Sequence, residues 1–179
     1  MSDVSLFNTR APYHITVYGL LSGTQFFQVS FIGSIVAYKV LSRPEFSRLQ
    51  QKLFPIYFTL QTTLSALLFF TFPGGKTLTS GFNGARSDKW GAFIPLATTF
   101  ITSSLNLLLI GPATTSIMLE RKVQETRDNK KCTDQGPHSE QMEKLNFRFG
   151  TLHSLSTLCN LAGFIGTVWY GSTLAKRIR

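Results

Sequence analysis

Charged residues along this chain are confined to short segments that separate four long uncharged stretches. No Asp, Glu, Lys or Arg occurs in residues 11–38, 53–75, 90–119 or 149–175, which are 28, 23, 30 and 27 residues long. A helix that crosses a bilayer needs roughly 20 predominantly apolar residues, so each stretch is long enough for one crossing. The pattern predicts an all-α protein, a four-span transmembrane helix bundle, with a soluble helical bundle as the alternative.

The limits of the predicted elements follow from where the apolar pattern begins and ends. One integral membrane domain is predicted over 1–179, with a polar loop at 120–148 that contains a helix end, a flexible loop and a new helix start. The spans are predicted at 15–38, 54–72, 91–119 and 152–174.

Two further features modify this simple bundle. Residues 44–53 place Phe46, Leu49 and Leu53 at helical spacing among basic residues, which predicts a short interfacial amphipathic helix at the headgroups. Pro112 lies within the third span and cannot donate a backbone hydrogen bond. A helix kink or a restart of the helix is therefore predicted at this proline.

Every predicted span also contains at least one carboxamide side chain, which lipid cannot solvate. These residues are Gln25, Gln28, Gln61, Asn106 and Asn160. We expect them to face the other helices, and two interpretations stay open. They form helix-packing hydrogen bonds, which contribute roughly 0.6–2 kcal/mol each in membranes, or they line an intramembrane polar site for a solute.

Small and polar residues recur beside the carboxamides at steps of three and four. In the fourth span the stripe consists of Thr157, Asn160, Gly163, Thr167 and Gly171. In the first span Gly19 and Gly23 form a G-x-x-x-G pair, which is typical of close helix contacts. The two patterns predict tight packing at these helix faces.

The chain offers few groups for chemistry. Trp90 and His153 lie near span ends and are predicted to be interfacial. Met118, His153 and Cys159 have no spacing of a recognised metal site, and no metal or cofactor is predicted. Without a carboxylate in any span, and without a P-loop, G-x-S-x-G or H-E-x-x-H motif, no catalytic residue is assigned and the protein is predicted not to be an enzyme.

Composition changes this picture only in detail. The mean hydropathy of +0.08 is low for a membrane protein, because the spans are rich in Ser and Thr, whose hydroxyls can bond to the preceding turn. The net charge of +9 comes from basic residues that flank the spans. The predicted partners are therefore the lipid bilayer and its anionic headgroups rather than nucleic acid, with protein partners or a homo-oligomer left open.

The distribution of basic residues predicts an orientation. The segments before span one, between spans two and three, and after span four carry 7 Lys and Arg, against 11 in the other two loops. The positive-inside rule then places both termini away from the cytosol. The basic tail at 176–179 resembles a cytosolic retrieval signal and favours the opposite orientation.

Three segments together resemble the transmembrane protein 205 family, a group of small four-span proteins. They are 23-GTQFFQVSFIGS-34, 42-SRPEFSRLQQKLFPIYF-58, and the set formed by Asn106, Pro112, Thr114 and Thr115 with 150-GTLHSLSTLCNLAG-163. Animal members carry charges between this Asn and this Pro, where the present chain has uncharged residues, which is typical of a fungal-type branch. The resemblance implies a multi-pass protein of endomembranes or the cell surface, in a family linked to platinum-drug resistance through vesicular export.

Two functional hypotheses result. The first is a non-catalytic scaffold, assembly or trafficking-associated membrane protein whose carboxamides hold the helices together. The second is a small carrier or export-associated protein with an intramembrane polar site. An endomembrane location in the endoplasmic reticulum or secretory pathway is favoured, and a mitochondrial membrane stays open.

Overall fold

The structure, a computed structural model, describes residues 10–29, 32–72 and 89–177, which form helices joined by turns and contain no strand. The helices are α1 (Arg10–Val29), α2 (Ile32–Val40), α3 (Arg43–Phe70), α4 (Ile94–Leu105), α5 (Gly111–Asp128) and α6 (Glu140–Arg177). Two π-helical turns flank α4. Lys89–Phe93 precedes it, and Asn106–Ile110 joins it to α5. The prediction of an all-α fold is confirmed.

Contacts between helices define an antiparallel bundle. His14 near the start of α1 bonds to Thr71, just after α3, and to Tyr170 near the end of α6. Further along, Thr62 of α3 donates to Ser103 of α4 at 3.0 Å. Early residues of α1 thus meet late residues of α3 and α6. Thr99 and, just after α4, Asn106 contact Gly163 and Ser156 of α6 in reverse order, so α1, α3, α4 and α6 alternate in direction.

Helix α3 begins with a capping arrangement and includes the residues of the predicted interfacial helix. The Ser42 hydroxyl and backbone N–H both donate to Glu45 Oε2, at 2.6 and 3.0 Å. Residues 44–53 then form the first part of α3 rather than a separate element, which corrects the sequence expectation. Pro55 lies inside this 28-residue helix, where it withholds only its own N–H while the bonds on either side keep the helix continuous.

The predicted first span, 15–38, is divided in the structure. Helix α1 ends at Val29 and α2 begins at Ile32, and residues 30–31 lie outside the described part of the chain. Two described helical stretches, Arg43–Phe70 and Trp90–Asp128, are long and apolar enough to cross a membrane by length and composition. The sequence pattern that predicted four spans is therefore matched by two helices on this criterion.

The proline of the third predicted span follows a π-helical turn. The Gly111 N–H bonds to the carbonyl of Asn106, five residues back, and Pro112 then occupies the first turn of α5. A Cβ at position 111 would lie 2.7 Å from the Asn106 carbonyl oxygen, so this approach requires glycine. The irregularity predicted at Pro112 is thus a π-helical turn just before the proline. Pro112 lies in the first turn of α5 and not in the interior of a helix.

The bundle exposes many large apolar side chains and buries polar side chains beside an apolar cluster. Many large apolar residues face outward, among them Phe26, Leu60, Leu109 and Ile165. The buried polar residues are His14, Gln25, Gln50, Gln61, Ser65, Thr99, Ser103, Asn106, Gln124 and Thr167. The buried apolar cluster, which consists of Leu21, Leu68, Ala92, Leu96, Tyr170 and Leu174, lies toward the end of the bundle that holds His14.

Candidate functional site

Two of the predicted carboxamides lie at one depth inside the bundle. Gln25 follows His14 by eleven residues on α1, and Gln61 precedes Thr71 by ten on α3. At 1.5 Å per residue these separations are about 16 and about 15 Å. Since His14 and Thr71 are in contact and the helices are antiparallel, Gln25 and Gln61 reach a similar level.

Helix α6 contributes at this level, and the π-helical turn after α4 contributes about two helical turns further along the bundle. The Gln61 Nε2 atom lies 3.5 Å from the position that a Cβ would take at Gly163, so its amide packs against the α6 backbone. In the π-helical turn after α4, Asn106 donates from Nδ2 to the Ser156 carbonyl of α6 at 3.4 Å. We call Gln25, Gln61 and Asn106 the amide layer.

The amide layer is buried but largely unbonded. Gln25 and Asn106 are 0% exposed and Gln61 is 1% exposed. Both polar atoms of each glutamine, and Oδ1 of Asn106, have no hydrogen-bond partner within the described part of the chain. A buried polar group without a partner costs about 1–3 kcal/mol, so these atoms favour an additional polar partner in the bundle.

Two more unbonded groups adjoin the amide layer. Asn160 lies one turn after Ser156 on α6, and its Oδ1 has no partner among the described residues. Tyr57 lies one turn before Gln61 on α3, is 3% exposed, and has an equally unpartnered hydroxyl. Tyr57 was not among the predicted site residues, although its i, i+4 spacing from Gln61 places both side chains on one helix face.

Other predicted positions behave differently. The side chain of Gln28 lies outside the described part of the structure. An added Cβ at Gly19 or Gly23 would meet nothing within 4 Å, so this G-x-x-x-G pair makes no close helix contact, contrary to expectation. The reason is that both glycines are exposed, while His14, Leu21 and Gln25 define the inward face of α1.

The stripe on α6 does form a close contact, which is made with α4. Thr99 Oγ1 lies 3.0 Å from the carbonyl oxygens of both Pro95 and Gly163. At Gly166, an added Cβ would come within 2.7 Å of the Pro95 carbonyl oxygen. The two helices therefore touch backbone to backbone, as small residues allow.

A buried histidine at one end of the bundle was also missed. The Thr71 hydroxyl donates to the Leu67 carbonyl, so it accepts from His14 Nδ1–H at 2.8 Å. His14 Nε2 then accepts from the Tyr170 hydroxyl, which ties α1, α3 and α6 together. The spacing of His14, Tyr18, Leu21 and Gln25 in steps of four, three and four could have identified its inward position.

The predicted interfacial residues lie on the surface. Trp90 is 50% exposed at the start of its helical stretch. His153 is exposed, and its ring stacks on Phe149 with centroids 5.7 Å apart. Both cysteines are unpaired, and burial raises the pKa of the Cys132 thiol in the turn after α5.

A groove lies at the polar end of the bundle, away from the amide layer. It has a volume of about 650 Å³ and is lined by Glu120 and by residues of 140–148. Arg121 beside it places its guanidinium 4.4 Å from the centre of the Phe149 ring. None of the predicted carboxamides lines this groove.

The fold and the site define an all-α protein with apolar helices arranged around a polar interior. Residues 16–123 match the family described as Domain of unknown function (DUF4149), which covers more than half of the chain. The chain therefore belongs to the DUF4149 family. It is also 30% identical over 167 residues to Xanthocillin biosynthesis cluster protein D of Aspergillus fumigatus, covering 93% of this chain and 90% of that protein. No solved structure matches the chain.

The family match covers part of the candidate site. It contains Gln25, Gln61, Asn106 and Tyr57 and ends within α5, so α6 with Asn160 lies beyond it. The longer match to the Aspergillus protein spans most of the chain.

Proposed function

We propose that the chain is a four-span, multi-pass membrane protein of the transmembrane protein 205 type. Helices α1 and α6 join the two longer apolar stretches as spans. The support is the outward position of apolar residues on these helices, such as Phe26 on α1 and Ile165 on α6, against polar residues inside. Lipid would cover this outward surface, while basic residues at the helix ends would contact anionic headgroups.

Within this bundle, the proposed function is that of a small carrier or export-associated protein. The main observation in its favour is that Gln25 and Gln61 are buried. Neither polar atom of either side chain has a hydrogen-bond partner in the described part of the chain. Carboxamides that served only to pack helices would be bonded to other helices, as Thr99 is. A polar solute that visits the amide layer would supply the missing partners without bringing a charge into the membrane.

Two further points support this proposal. The relative from Aspergillus is named as a protein of a xanthocillin biosynthesis cluster. For the present chain we propose a related role in moving or sequestering a small molecule. Because the uncharged stretches 11–38, 53–75, 90–119 and 149–175 hold no carboxylate, catalysis by a general acid and base is not part of the proposal.

A scaffold or assembly role is the second candidate. The observation in its favour is the backbone contact between α4 and α6 at Gly163 and Gly166, where Thr99 bonds across the helices. A rigid α4–α6 pair would present a constant outer surface to a partner protein. An endomembrane of the secretory pathway remains the proposed location for either role.

Access of water to the amide layer separates the two candidates. In a background with Cys132→Ser and Cys159→Ser, the variant Gln61→Cys is treated with a membrane-impermeant thiol reagent in liposomes. A carrier must open its polar site to at least one aqueous face, so we expect Gln61→Cys to be labelled. A scaffold with a closed interior would leave it unlabelled.

Matched controls make the labelling result interpretable. Leu60→Cys, adjacent in sequence but facing outward with 44% exposure, is expected to stay unlabelled because lipid covers it. Glu143→Cys, exposed at the polar end, is expected to react readily. Equal protection of Gln61→Cys and Leu60→Cys would contradict the carrier proposal.

A further inference from the structure

The unbonded groups in and beside the amide layer have a definite chemical composition. They comprise four amide oxygens, from Gln25, Gln61, Asn106 and Asn160, and the amide nitrogens of the two glutamines. The Tyr57 hydroxyl adds a group that can both donate and accept. A complementary ligand must therefore offer N–H or O–H donors together with acceptors.

These groups follow one another along the bundle axis, with Gln25 at the depth of Gln61, and we call this arrangement the column. Gln61 packs against Gly163, and Asn160 lies three residues earlier on the same face of α6. One turn further, the Ser156 carbonyl accepts from Asn106. Tyr57 lies about 6 Å from Gln61 along α3, measured at 1.5 Å per residue, in the direction of Asn106.

The absence of charged residues around the column further limits the chemical class of the ligand. Residues 53–70, 90–119 and 149–175 contain no Asp, Glu, Lys or Arg, and α1 contains only Arg10 at its first position. A cation would find amide oxygens but no carboxylate to neutralise its charge, while an anion would find more amide oxygens than donors. Burial of an uncompensated ion is far more costly than burial of a neutral group that can be hydrogen-bonded.

We infer that the column formed by Gln25, Gln61, Asn106, Asn160 and Tyr57 binds an uncharged small molecule that carries hydroxyl or amide donors, of the polyol, primary-amide or urea class. The inference rests on the proposed carrier function, whose site it specifies. Tyr57 is a specificity-determining residue in this site, because its hydroxyl is its only polar group and is buried beside the column.

Permeation through liposomes tests this ligand class. The full chain is reconstituted, and the entry of glycerol, urea and acetamide is followed by stopped-flow light scattering, with sodium and potassium flux measured in parallel. We expect at least one neutral probe to enter faster than into protein-free liposomes, and no ion flux above background. Gln61→Leu should abolish the increase.

A conservative variant keeps the test valid if Gln61→Leu does not fold. Tyr57→Phe removes one hydroxyl, so the protein-dependent rate should fall on the order of three- to tenfold, the value of one hydrogen bond. Tyr13→Phe, on a side chain that is 55% exposed on α1, should leave the rate unchanged. Equal effects of the two substitutions would overturn the role of Tyr57.

The remaining outcomes separate the ligand class from the function. If Gln61→Cys is labelled but none of the three neutral probes enters, the carrier proposal stands and the ligand class is overturned. Ion flux that depends on Gln61 would overturn the class in the same way. Entry of water alone, with no solute, would show a hydrated column that binds no ligand of this class.

Discussion

At the scale of single residues, buried polar groups in this bundle differ in whether they are hydrogen-bonded. Thr99 lies within hydrogen-bonding distance of two backbone carbonyls, whereas Gln61, buried to a similar extent, has no partner for either polar atom within the described chain. A bonded buried group stabilises the fold modestly, and an unbonded one destabilises it. The two residues should therefore respond oppositely to replacement by apolar side chains of similar size.

Gln61→Leu is expected to leave stability unchanged or to raise it by up to about 2 kcal/mol, because it removes unsatisfied polar atoms. Thr99→Val, the matched control, should lower stability by about 0.5–1.5 kcal/mol, because it removes a bonded hydroxyl. Thermal unfolding of both variants in one detergent, without added solute, makes the comparison. A loss in Gln61→Leu as large as that in Thr99→Val would indicate a packing role for the carboxamide.

Glu45 gives a pH-dependent prediction at the start of α3. The hydrogen bond from the Ser42 hydroxyl, followed by that from the Ser42 backbone N–H, lowers the pKa of the Glu45 carboxyl below its ordinary value. Because the folded pKa is lowered, this stabilisation is present above the ordinary pKa of about 4.3 and disappears as the pH falls through the lowered value. Acidification should therefore loosen the first turn of α3.

Substitution of the capping serine provides the check on Glu45. Ser42→Ala removes the hydrogen bond from the serine hydroxyl, which lowers the pKa of Glu45 the most. The pKa of Glu45 should therefore rise toward its ordinary value. A carboxyl titration followed by NMR on the labelled glutamate measures this directly. An unchanged pKa in Ser42→Ala would show that the carboxyl is not held by the serine hydroxyl.

At the scale of elements, the glycines of α6 differ in what surrounds them. A Cβ at Gly166 would lie 2.7 Å from the Pro95 backbone oxygen, whereas one at Gly150 would meet nothing within 4 Å. Gly166→Ala must push α4 and α6 apart, which we expect to cost about 1–3 kcal/mol. The backbone carbonyl on α4 cannot rotate away as a flexible side chain could.

Gly150→Ala is the control for this helix contact. Alanine is favoured over glycine in a helix interior by roughly 0.5–1 kcal/mol, so this variant should be as stable as the natural protein or more stable. Both variants are compared by thermal unfolding in the same detergent. Destabilisation of both to the same extent would mean that the α4–α6 contact is not the cause.

At the scale of the whole molecule, antiparallel packing predicts which segments share a side of the membrane. His14, Thr71 and Tyr170 meet at one end of the bundle. The turn between α5 and α6 lies at the opposite end. If α6 crosses the membrane, Lys176 and Gln135 must lie on opposite sides. In the background with both native cysteines replaced by serine, Lys176→Cys and Gln135→Cys should label from opposite faces of sealed vesicles.

The controls for this topology test are the same two variants in opened vesicles, where both should react. Reaction of both from one face of sealed vesicles would contradict a four-span topology. The predicted orientation, with the termini away from the cytosol, follows from the 7 and 11 basic residues on the two sides and is read from the same labelling.

The sequence by itself determined the helical class and pointed to Gln25, Gln61 and Asn106, which the structure buries. Uncharged stretches of 23 to 30 residues have few alternatives to helices, and a carboxamide such as Gln61 or Asn106 avoids lipid whatever the details of packing. Membership of a family without known function is consistent with how little chemistry its motifs contain. These properties depend on residue type and spacing, which the chain carries before it folds.

Only the tertiary structure decided which groups are bonded and which are not. The pairing of His14 with Thr71 and Tyr170 joins residues 57 and 156 positions apart, which no local spacing reveals. Gly163 and Gly19 look alike in sequence, yet one touches a neighbouring helix and the other faces open space. Hydrogen bonding and close approach depend on the relative depth and rotation of separate helices, and those quantities are set by the packing of the entire bundle.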